Sequence, residues 1–345
     1  MKKYYWLEVA RGFAAIWVLL HHAVLTSKAF FADVDFPFFY RGYLGVDFFF
    51  ILSGFIIAFS SARMISSGKG VAEYFSLRAA RIYLPYLPIG VGLYCAYALM
   101  PGISSADRDI GMLTSFTLFP TAQATALSVA WTLKHELVFY FLFSSIFISR
   151  STFLGVMGGW FLAIVVALIW PALHDSAVLQ VLLNPLNLWF YLGMAVFLLP
   201  DFRLPRAVCQ VIFLLMLATL YFIVVNDAAR IYVGLVFAGL LVLFTKVRDW
   251  DVPAPRALLY LGAASYSVYL VHNPAQSVVA RILLVFSDSW PPLLSFWIIS
   301  AVSLLAGLIY YGLYERHANL WCKSRIHGCF SKPSLAVEIE SDQSR

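Results

Sequence analysis

The chain has 345 residues, of which 62% are hydrophobic and only 12% are charged, and its mean hydropathy is +0.82. Soluble domains carry charge on roughly a quarter of their residues, so this composition excludes an ordinary soluble protein and predicts an integral membrane protein. The net charge of +6 requires no nucleic-acid partner, because membrane proteins collect Lys and Arg in the loops on one side.

Apolar segments long enough to cross about 30 Å of hydrocarbon recur along the chain. They predict an all-α polytopic membrane protein with about ten transmembrane helices. The ninth segment contains Pro274 and Arg281 and is expected to be either a broken helix or a helix with an outer surface segment. The segments lie near residues 6–25, 43–62, 83–100, 129–148, 152–170, 181–199, 207–225, 229–245, 257–286 and 291–314.

Lys and Arg are concentrated in alternate loops, on the side of the N-terminus. This bias predicts that both termini are cytoplasmic. Residues 1–316 are expected to form the membrane domain, and residues 317–345 a basic and then disordered cytoplasmic tail. The cysteines and histidines of that tail lack metal-ligand spacing, so no metal site is expected.

The first span carries ionisable residues in the stretch RGFAAIWVLLHH. Such groups cost roughly 2.5–3.5 kcal/mol each near a bilayer centre. Arg11 and His22 are separated by about 1100° of helix rotation, ~20° beyond three turns, and by a rise of about 16 Å, so they share a face at different depths. Glu8 is spaced to pair with Arg11. The alternative is that Arg11 and His22 each extend to the nearer membrane interface.

Other spans carry polar residues at matching depths. Charged groups inside a bundle must face its interior or a wet cavity, so the sequence predicts a through-protein pocket with two polar layers. The outer layer is expected to hold His22, Asp47, Lys134, His135, Glu136 and His272, and the cytoplasmic layer Arg11, Arg78, Arg81 and Glu315.

This pattern suits acyl transfer from a coenzyme A thioester to an alcohol. Arginine matches the oxygens of a phosphate-bearing donor, and an imidazole with an acidic neighbour can take a proton from a hydroxyl near neutral pH. A proton-coupled transporter would also place histidines and acids at mid-depth. The spacing alone therefore leaves both an enzyme and a carrier open.

Six motifs in order, between Leu7 and Glu315, together resemble the acyltransferase family 3 membrane proteins, with the branch that acetylates bacterial exopolysaccharides the nearest likeness. They are LEVARGFAAIWVLLHH, GYLGVDFFFILSGF, SLRAARIYLP, AWTLKHELVFYF, LGAASYSVYLVH and YER. The Arg-x10-His pattern of the family falls on Arg11 and His22, its Arg-x-x-Arg on Arg78 and Arg81, and its W-S/T-L-x-x-E ends at Glu136.

The resemblance implies an O-acyltransferase of the inner membrane, with residues 1–316 as the family's domain. It would move an acetyl or other short acyl group from cytoplasmic acyl-CoA to a hydroxyl of a cell-surface or exopolysaccharide sugar. The acceptor would be a glycan or a lipid-linked sugar, and polysaccharide-assembly proteins are conceivable partners. The alternative is a transporter or flippase that moves a glycan or acyl carrier without chemistry.

His22 is expected to be the general base for the acceptor hydroxyl, with an acyl-histidine intermediate as the alternative. Glu136 is expected to orient that histidine or to favour its positively charged form, or to help bind the sugar. Asp47 is a further catalytic candidate, although a carboxylate this close to a helix start suits an N-cap equally well.

Arg11, Arg78 and Arg81 are expected to bind the acyl-CoA donor, Arg11 along the pantetheine path and the other two at the nucleotide phosphates. Arg78 could instead be an ordinary cytoplasmic anchor. His272 is expected to bind substrate, with a capping or interfacial role before Pro274 as the alternative.

Overall fold

The computed structural model describes residues 4–100, 109–227, 229–248, 250, 253–287 and 289–330. The predicted all-α fold is confirmed, since these ranges contain no β-strand and only isolated bridges. The expected disorder after residue 330 lies outside the described residues. The helices are α1 (Tyr5–Phe30), α2 (Pro37–Tyr40), α3 (Gly45–Ser66), α4 (Val71–Leu99), α5 (Met112–Thr117), α6 (Trp131–Phe143), α7 (Arg150–Ile169), α8 (Ala177–Leu182), α9 (Leu188–Leu198), α10 (Arg206–Val225), α11 (Arg230–Lys246), α12 (Arg256–Ala263), α13 (Ser265–Phe286), α14 (Pro292–Tyr310) and α15 (Arg316–Phe330).

Within the described ranges, 8 helical segments are long and apolar enough to cross a membrane, which confirms a polytopic protein. They correspond to eight of the ten predicted spans. The predicted span at 129–148 instead contains α6, of 13 residues, which short 3₁₀ helices continue at both ends (Ser128–Ala130 and Ser144–Phe147), and the one at 229–245 contains α11, of 17 residues. At 1.5 Å per residue α11 reaches about 26 Å and α6 without its 3₁₀ ends about 20 Å, against the ~30 Å of a hydrocarbon core. The side on which the termini lie stays a prediction.

The predicted ninth span is broken, but not at its proline. The break lies at Ala264, between α12 and α13, and α13 continues through Pro274. Neighbouring helices hold the segment around the proline, since Nε2 of the buried Gln276 donates a hydrogen bond to the carbonyl oxygen of Leu19, 2.9 Å away. Such contacts with a packed neighbour let a membrane helix tolerate proline.

Helix α4 contains Pro85 and Pro88, and tyrosines from the end of α14 and the π-turn that follows it (Tyr311–Glu315) pack there. Proline has no N–H, so Pro88 cannot donate the usual helical hydrogen bond to the carbonyl of Leu84. The hydroxyl of Tyr314 donates to that carbonyl at 3.2 Å, and the hydroxyl of Tyr310 donates to the carbonyl of Pro85 at 2.8 Å. These bonds hold the end of α14 against the helix that carries Arg78 and Arg81.

Helices α3 and α9 cross at two glycines. A Cβ atom at Gly193 would lie 1.8 Å from the carbonyl oxygen of Ile51, and one at Gly54 would lie 2.1 Å from the carbonyl oxygen of Phe190. Only glycine allows this approach, which is typical of close helix packing in membranes. Helix α1 packs against α3 and also against α12, α13 and α14, so its polar residues face the centre of the bundle.

Candidate active site

A cavity of about 630 Å³ opens among α1, α3, α4 and α15. We call it the basic vestibule. Its lining includes all three arginines that the sequence assigned to the donor. Three of the four residues that the sequence grouped in the cytoplasmic layer thus share one cavity, and the fourth, Glu315, does not line it. The Lys and Arg side chains that line it are those of Arg11, Arg63, Lys69, Arg78, Arg81 and Lys323.

A smaller inner cavity of about 90 Å³ adjoins the basic vestibule, because Arg11, Arg78 and Arg81 line both. Thr132 and Tyr269 line the inner cavity as well. We call the two adjoining cavities the passage: cations line its larger part, and hydroxyl-bearing and aromatic side chains line its smaller part.

The arginines of this passage differ in their partners. Nη1 of Arg11 lies 3.0 Å from Oε2 of Glu8, the pair that their spacing predicted. Arg78 donates to the Ser60 hydroxyl, and its guanidinium lies 5.5 Å from the ring centre of Tyr140. The guanidinium of Arg81 lies 6.0 Å from the ring centre of Tyr266. Aromatic faces attract cations but leave their charge uncompensated.

Glu315 belongs to the same layer, as the sequence predicted. It is buried and accepts hydrogen bonds from the Ser267 hydroxyl and, at 3.3 Å, from Nδ2 of Asn319. It lies within electrostatic range of Arg11 and Arg81. A buried carboxylate in this position offsets part of the positive charge and joins α13 to the end of α14.

Glu136 also lines the inner cavity and accepts a hydrogen bond from the Tyr140 hydroxyl. Among the described residues, no hydrogen bond or ion pair joins it to His22. The sequence grouped Glu136 with the outer layer, but α6 begins at Trp131 and descends into the bundle, so the carboxylate reaches the arginine side. Its expected action on His22 stays a prediction without a direct contact.

His22 and His272 form a pair across α1 and α13. Nδ1 of His22 lies 3.2 Å from Nε2 of His272, and their ring centres are 4.9 Å apart. Nδ1 of His272 is 3.1 Å from the carbonyl oxygen of Val268, and Nδ1 of His22 is 3.0 Å from that of Val18. His272 is fully buried. Two candidates that the sequence placed in one polar layer are therefore in contact.

The hydrogen-bond network assigns the tautomers of this pair. A carbonyl oxygen only accepts, so the proton of His272 sits on Nδ1 and its Nε2 presents a lone pair. The Nδ1–H of His22 donates to that lone pair and also to the carbonyl oxygen of Val18. Nε2 of His22 is left unprotonated, and no hydrogen-bond partner occupies it within the described part of the chain.

Tyr269 separates the histidine pair from the inner cavity. Its hydroxyl lies 3.0 Å from the Thr132 hydroxyl and donates at 3.0 Å to the carbonyl of Val129, and its ring centre is 5.8 Å from that of His272. His22 lines neither the inner cavity nor the basic vestibule, so neither of these two cavities is the predicted through-protein pocket that would join Arg11 to His22. Sequence reasoning missed Tyr269, although it lies one helical turn before His272 in SYSVYLVH.

Asp47 is fully buried and forms a two-pronged ion pair with Arg230. Its oxygens lie 2.6 Å from Nε and 2.5 Å from Nη2 of the arginine. No side-chain capping bond is made at the start of α3, so the N-cap alternative is not what the structure contains. Sequence reasoning missed the partner, because Arg230 resembled an ordinary outer-loop cation.

Residues 4–312 match a family model described as an acyltransferase domain. The exopolysaccharide production protein ExoZ of Rhizobium meliloti (strain 1021) is 31% identical over 294 residues, which cover 80% of this chain and 89% of that protein. No solved structure matches the chain significantly.

Proposed function

This chain belongs to the acyltransferase family whose domain it matches, and we propose on that premise that it acylates an exopolysaccharide. It is an O-acyltransferase with several membrane spans. In the proposed reaction a short acyl group, acetyl in the first instance, moves from cytoplasmic acyl-CoA to a sugar hydroxyl at the outer side of the inner membrane. The observation that carries the proposal is the unpartnered Nε2 of His22, just past the end of a passage that begins in the basic vestibule.

The passage supports an acyl-CoA donor that enters with its slender pantetheine end first, the end that carries the thioester. The nucleotide phosphates stay among Arg78 and Arg81, because guanidinium groups match phosphate oxygens in charge and geometry. The pantetheine arm extends past Arg11 and Glu136 and brings the thioester to the region of Tyr269. In this arrangement Glu136 serves the donor, as an acceptor for the amide N–H groups of pantetheine.

His22 and His272 support a direct transfer. The acceptor hydroxyl gives its proton to Nε2 of His22 while its oxygen attacks the thioester carbonyl. The carbon–sulfur bond then breaks, CoA leaves as the thiolate, and the imidazolium returns the proton to it. His272 is a positioning residue, since its Nε2 lone pair fixes the tautomer of His22 and accepts from the imidazolium that forms. The name of ExoZ supports the class of acceptor.

The first test is transfer by purified protein in lipid nanodiscs, given acetyl-CoA labelled in its acetyl group and an exopolysaccharide. We expect labelled ester and free CoA to appear together, and only when the acceptor is present. A transporter or flippase would release no CoA, and that result would overturn the proposal.

Two matched variants test the base. His22→Asn keeps an N–H near the position of Nδ1 but removes Nε2, so we expect transfer to fall by about 10²–10⁴-fold, the usual contribution of a general base. His21→Asn is the neighbouring control: the ring centre of His21 lies 5.0 Å from that of His22, but its Nδ1 contacts the carbonyl of Tyr40 and not the histidine pair. If His22→Asn transfers acetyl at the original rate, His22 is not the base.

A further inference from the structure

Helix α15 lies beyond residue 312, where the family match ends, yet it packs against α4 and forms a wall of the basic vestibule. We propose that Lys323 on this helix binds the ribose 3′-phosphate of acyl-CoA. The inference rests on the proposed function and extends the donor site to a helix outside the acyltransferase domain. The sequence had treated this segment as the start of a basic tail.

The helix is fastened at the mouth of the basic vestibule. Nδ1 of His327 lies 3.0 Å from Oε1 of Glu73, a nearly inaccessible carboxylate in the first turn of α4, and Lys69 pairs with the same oxygen. Lys323 precedes His327 by one helical turn, so the two side chains share a face, and both line the basic vestibule. The contact at Glu73 therefore holds the Lys323 ammonium at the cavity.

The charges around Lys323 point to an anionic ligand. Lys323 lies within electrostatic range of Arg81 and Arg78, and also of the buried carboxylate of Glu315, which offsets part of their charge. Within the described residues, none of these three cations forms an ion pair with a carboxylate, whereas Lys69 and Arg11 do. Like charges that share a cavity repel one another and raise the local concentration of anions. A ligand with several phosphate charges would relieve that repulsion.

The positions of the cations along the passage indicate which phosphate group of acyl-CoA lies next to Lys323. Arg78 and Arg81 line both cavities, whereas Lys323 lines only the basic vestibule, as do Arg63 and the Glu73-paired Lys69. In acyl-CoA the thioester is followed by pantetheine, then by the diphosphate, and then by the ribose with its 3′-phosphate. With the thioester at the far end of the inner cavity, the diphosphate reaches the arginines and the 3′-phosphate lies beyond them, on the side of Lys323.

The experiment compares acetyl-CoA with acetyl-3′-dephospho-CoA as donors for the full-length protein in nanodiscs. We expect the unmodified protein to have a KM about tenfold lower for acetyl-CoA, the size of one charge-assisted hydrogen bond. Lys323→Ala should bring the two KM values together by raising only that for acetyl-CoA, and Lys323→Arg should restore the difference. Arg325→Ala is the matched control, because Arg325 stacks on Trp321 and does not line the basic vestibule.

The outcomes separate this inference from the proposed function. If the unmodified protein transfers acetyl from neither donor, the proposed function fails. If it transfers acetyl but Lys323→Ala keeps the original ratio of KM values, Lys323 does not bind the 3′-phosphate. An equal rise in both KM values would also overturn the assignment, because it would indicate a general effect of positive charge.

Discussion

The basic vestibule and the histidine pair differ in where their polar groups find partners. In the basic vestibule, Arg78, Arg81 and Lys323 face a large cavity without an ion pair in the described chain. In the histidine pair, Nδ1 of each ring lies close to a backbone carbonyl, and the rings contact each other outside the inner cavity. The basic vestibule thus holds positive charges that lack a carboxylate partner, whereas the Nδ1 atoms of the histidine pair already have partners within the protein.

This difference predicts different responses to substitution. Ionic contacts in a wide, wet cavity are each worth little and are screened by salt, so losing one should weaken donor binding by a limited factor. A catalytic base works only in the right tautomer and orientation, so a change in its support should reduce turnover strongly. Substitutions in the two regions should therefore separate KM from kcat.

After substitution of His22 itself, the largest expected effect comes from His272. His272→Ala removes the acceptor that orients Nδ1–H of His22, so we expect kcat to fall by about 100-fold, the lower end of the contribution of a general base. The KM for acetyl-CoA should stay within about twofold, because the arginine contacts that bind the donor are untouched. Steady-state transfer assays with varied acetyl-CoA measure both constants.

His272→Gln is the control for that experiment. The side-chain oxygen of glutamine can accept from Nδ1–H of His22, so this variant should recover a large part of kcat. If Gln and Ala are equally inactive, or if the KM for acetyl-CoA rises with the loss of kcat, His272 does not act through the orientation of His22.

The ion pair of the buried Asp47 with Arg230, whose side chain is 41% exposed, tests whether this region is held by protein contacts rather than by substrate. Arg230→Ala leaves the buried carboxylate without its partner, and we expect it to lower the free energy of unfolding by about 2 kcal/mol, between the cost of losing an exposed pair and that of breaking a fully buried one. The double variant Asp47→Asn with Arg230→Gln removes both charges and should recover most of that loss. Thermal unfolding in detergent and kcat are measured together.

A matched control is the pair of Arg41 and Asp227, whose carboxylate is exposed whereas that of Asp47 is buried. Asp227→Asn should change neither the unfolding temperature nor kcat measurably, because exposed ion pairs contribute little. If the double variant at Asp47 and Arg230 is stable but cannot transfer acetyl, the carboxylate of Asp47 takes part in catalysis, as the sequence allowed.

The sequence identifies groups that must face the interior of the bundle. Ionisable groups in apolar spans are costly when they face lipid. The structure places Arg11 and Arg78 on one passage and brings His22 and His272 into contact beyond it. Two histidines from helices far apart in the chain could be assigned to the same layer by depth alone.

Contacts that depend on where a short helix begins could not be predicted in this way. The depth of Glu136 follows from the start of α6 at Trp131, and hydropathy places helix ends only to within a few residues. Arg230 lies at the first residue of α11, where it is indistinguishable from a loop cation until α3 packs beside it. Likewise, α15 carries no apolar pattern that predicts its contact with α4.

The smallest expected effect tests the assignment of Glu136 to the donor side. In Glu136→Gln the amide oxygen can still accept from Tyr140 and from a pantetheine N–H, so only the charge-assisted part of each bond is lost. That part is about 1 kcal/mol, and we expect kcat/KM for acetyl-CoA to fall less than tenfold. Tyr140→Phe, which removes the hydrogen bond to Glu136, should have an effect of similar size.

The comparison with His22→Asn decides between the two possible positions of Glu136 in the reaction. A neutral amide cannot stabilise an imidazolium as a carboxylate does. If Glu136 stabilised the charged form of His22, the variant Glu136→Gln should therefore lose as much activity as His22→Asn. If both variants lose 100-fold or more in kcat, the donor passage and the histidine pair form one catalytic unit. If Glu136→Gln alters mainly the KM for acetyl-CoA, the carboxylate acts on the donor, as its place among the arginines indicates.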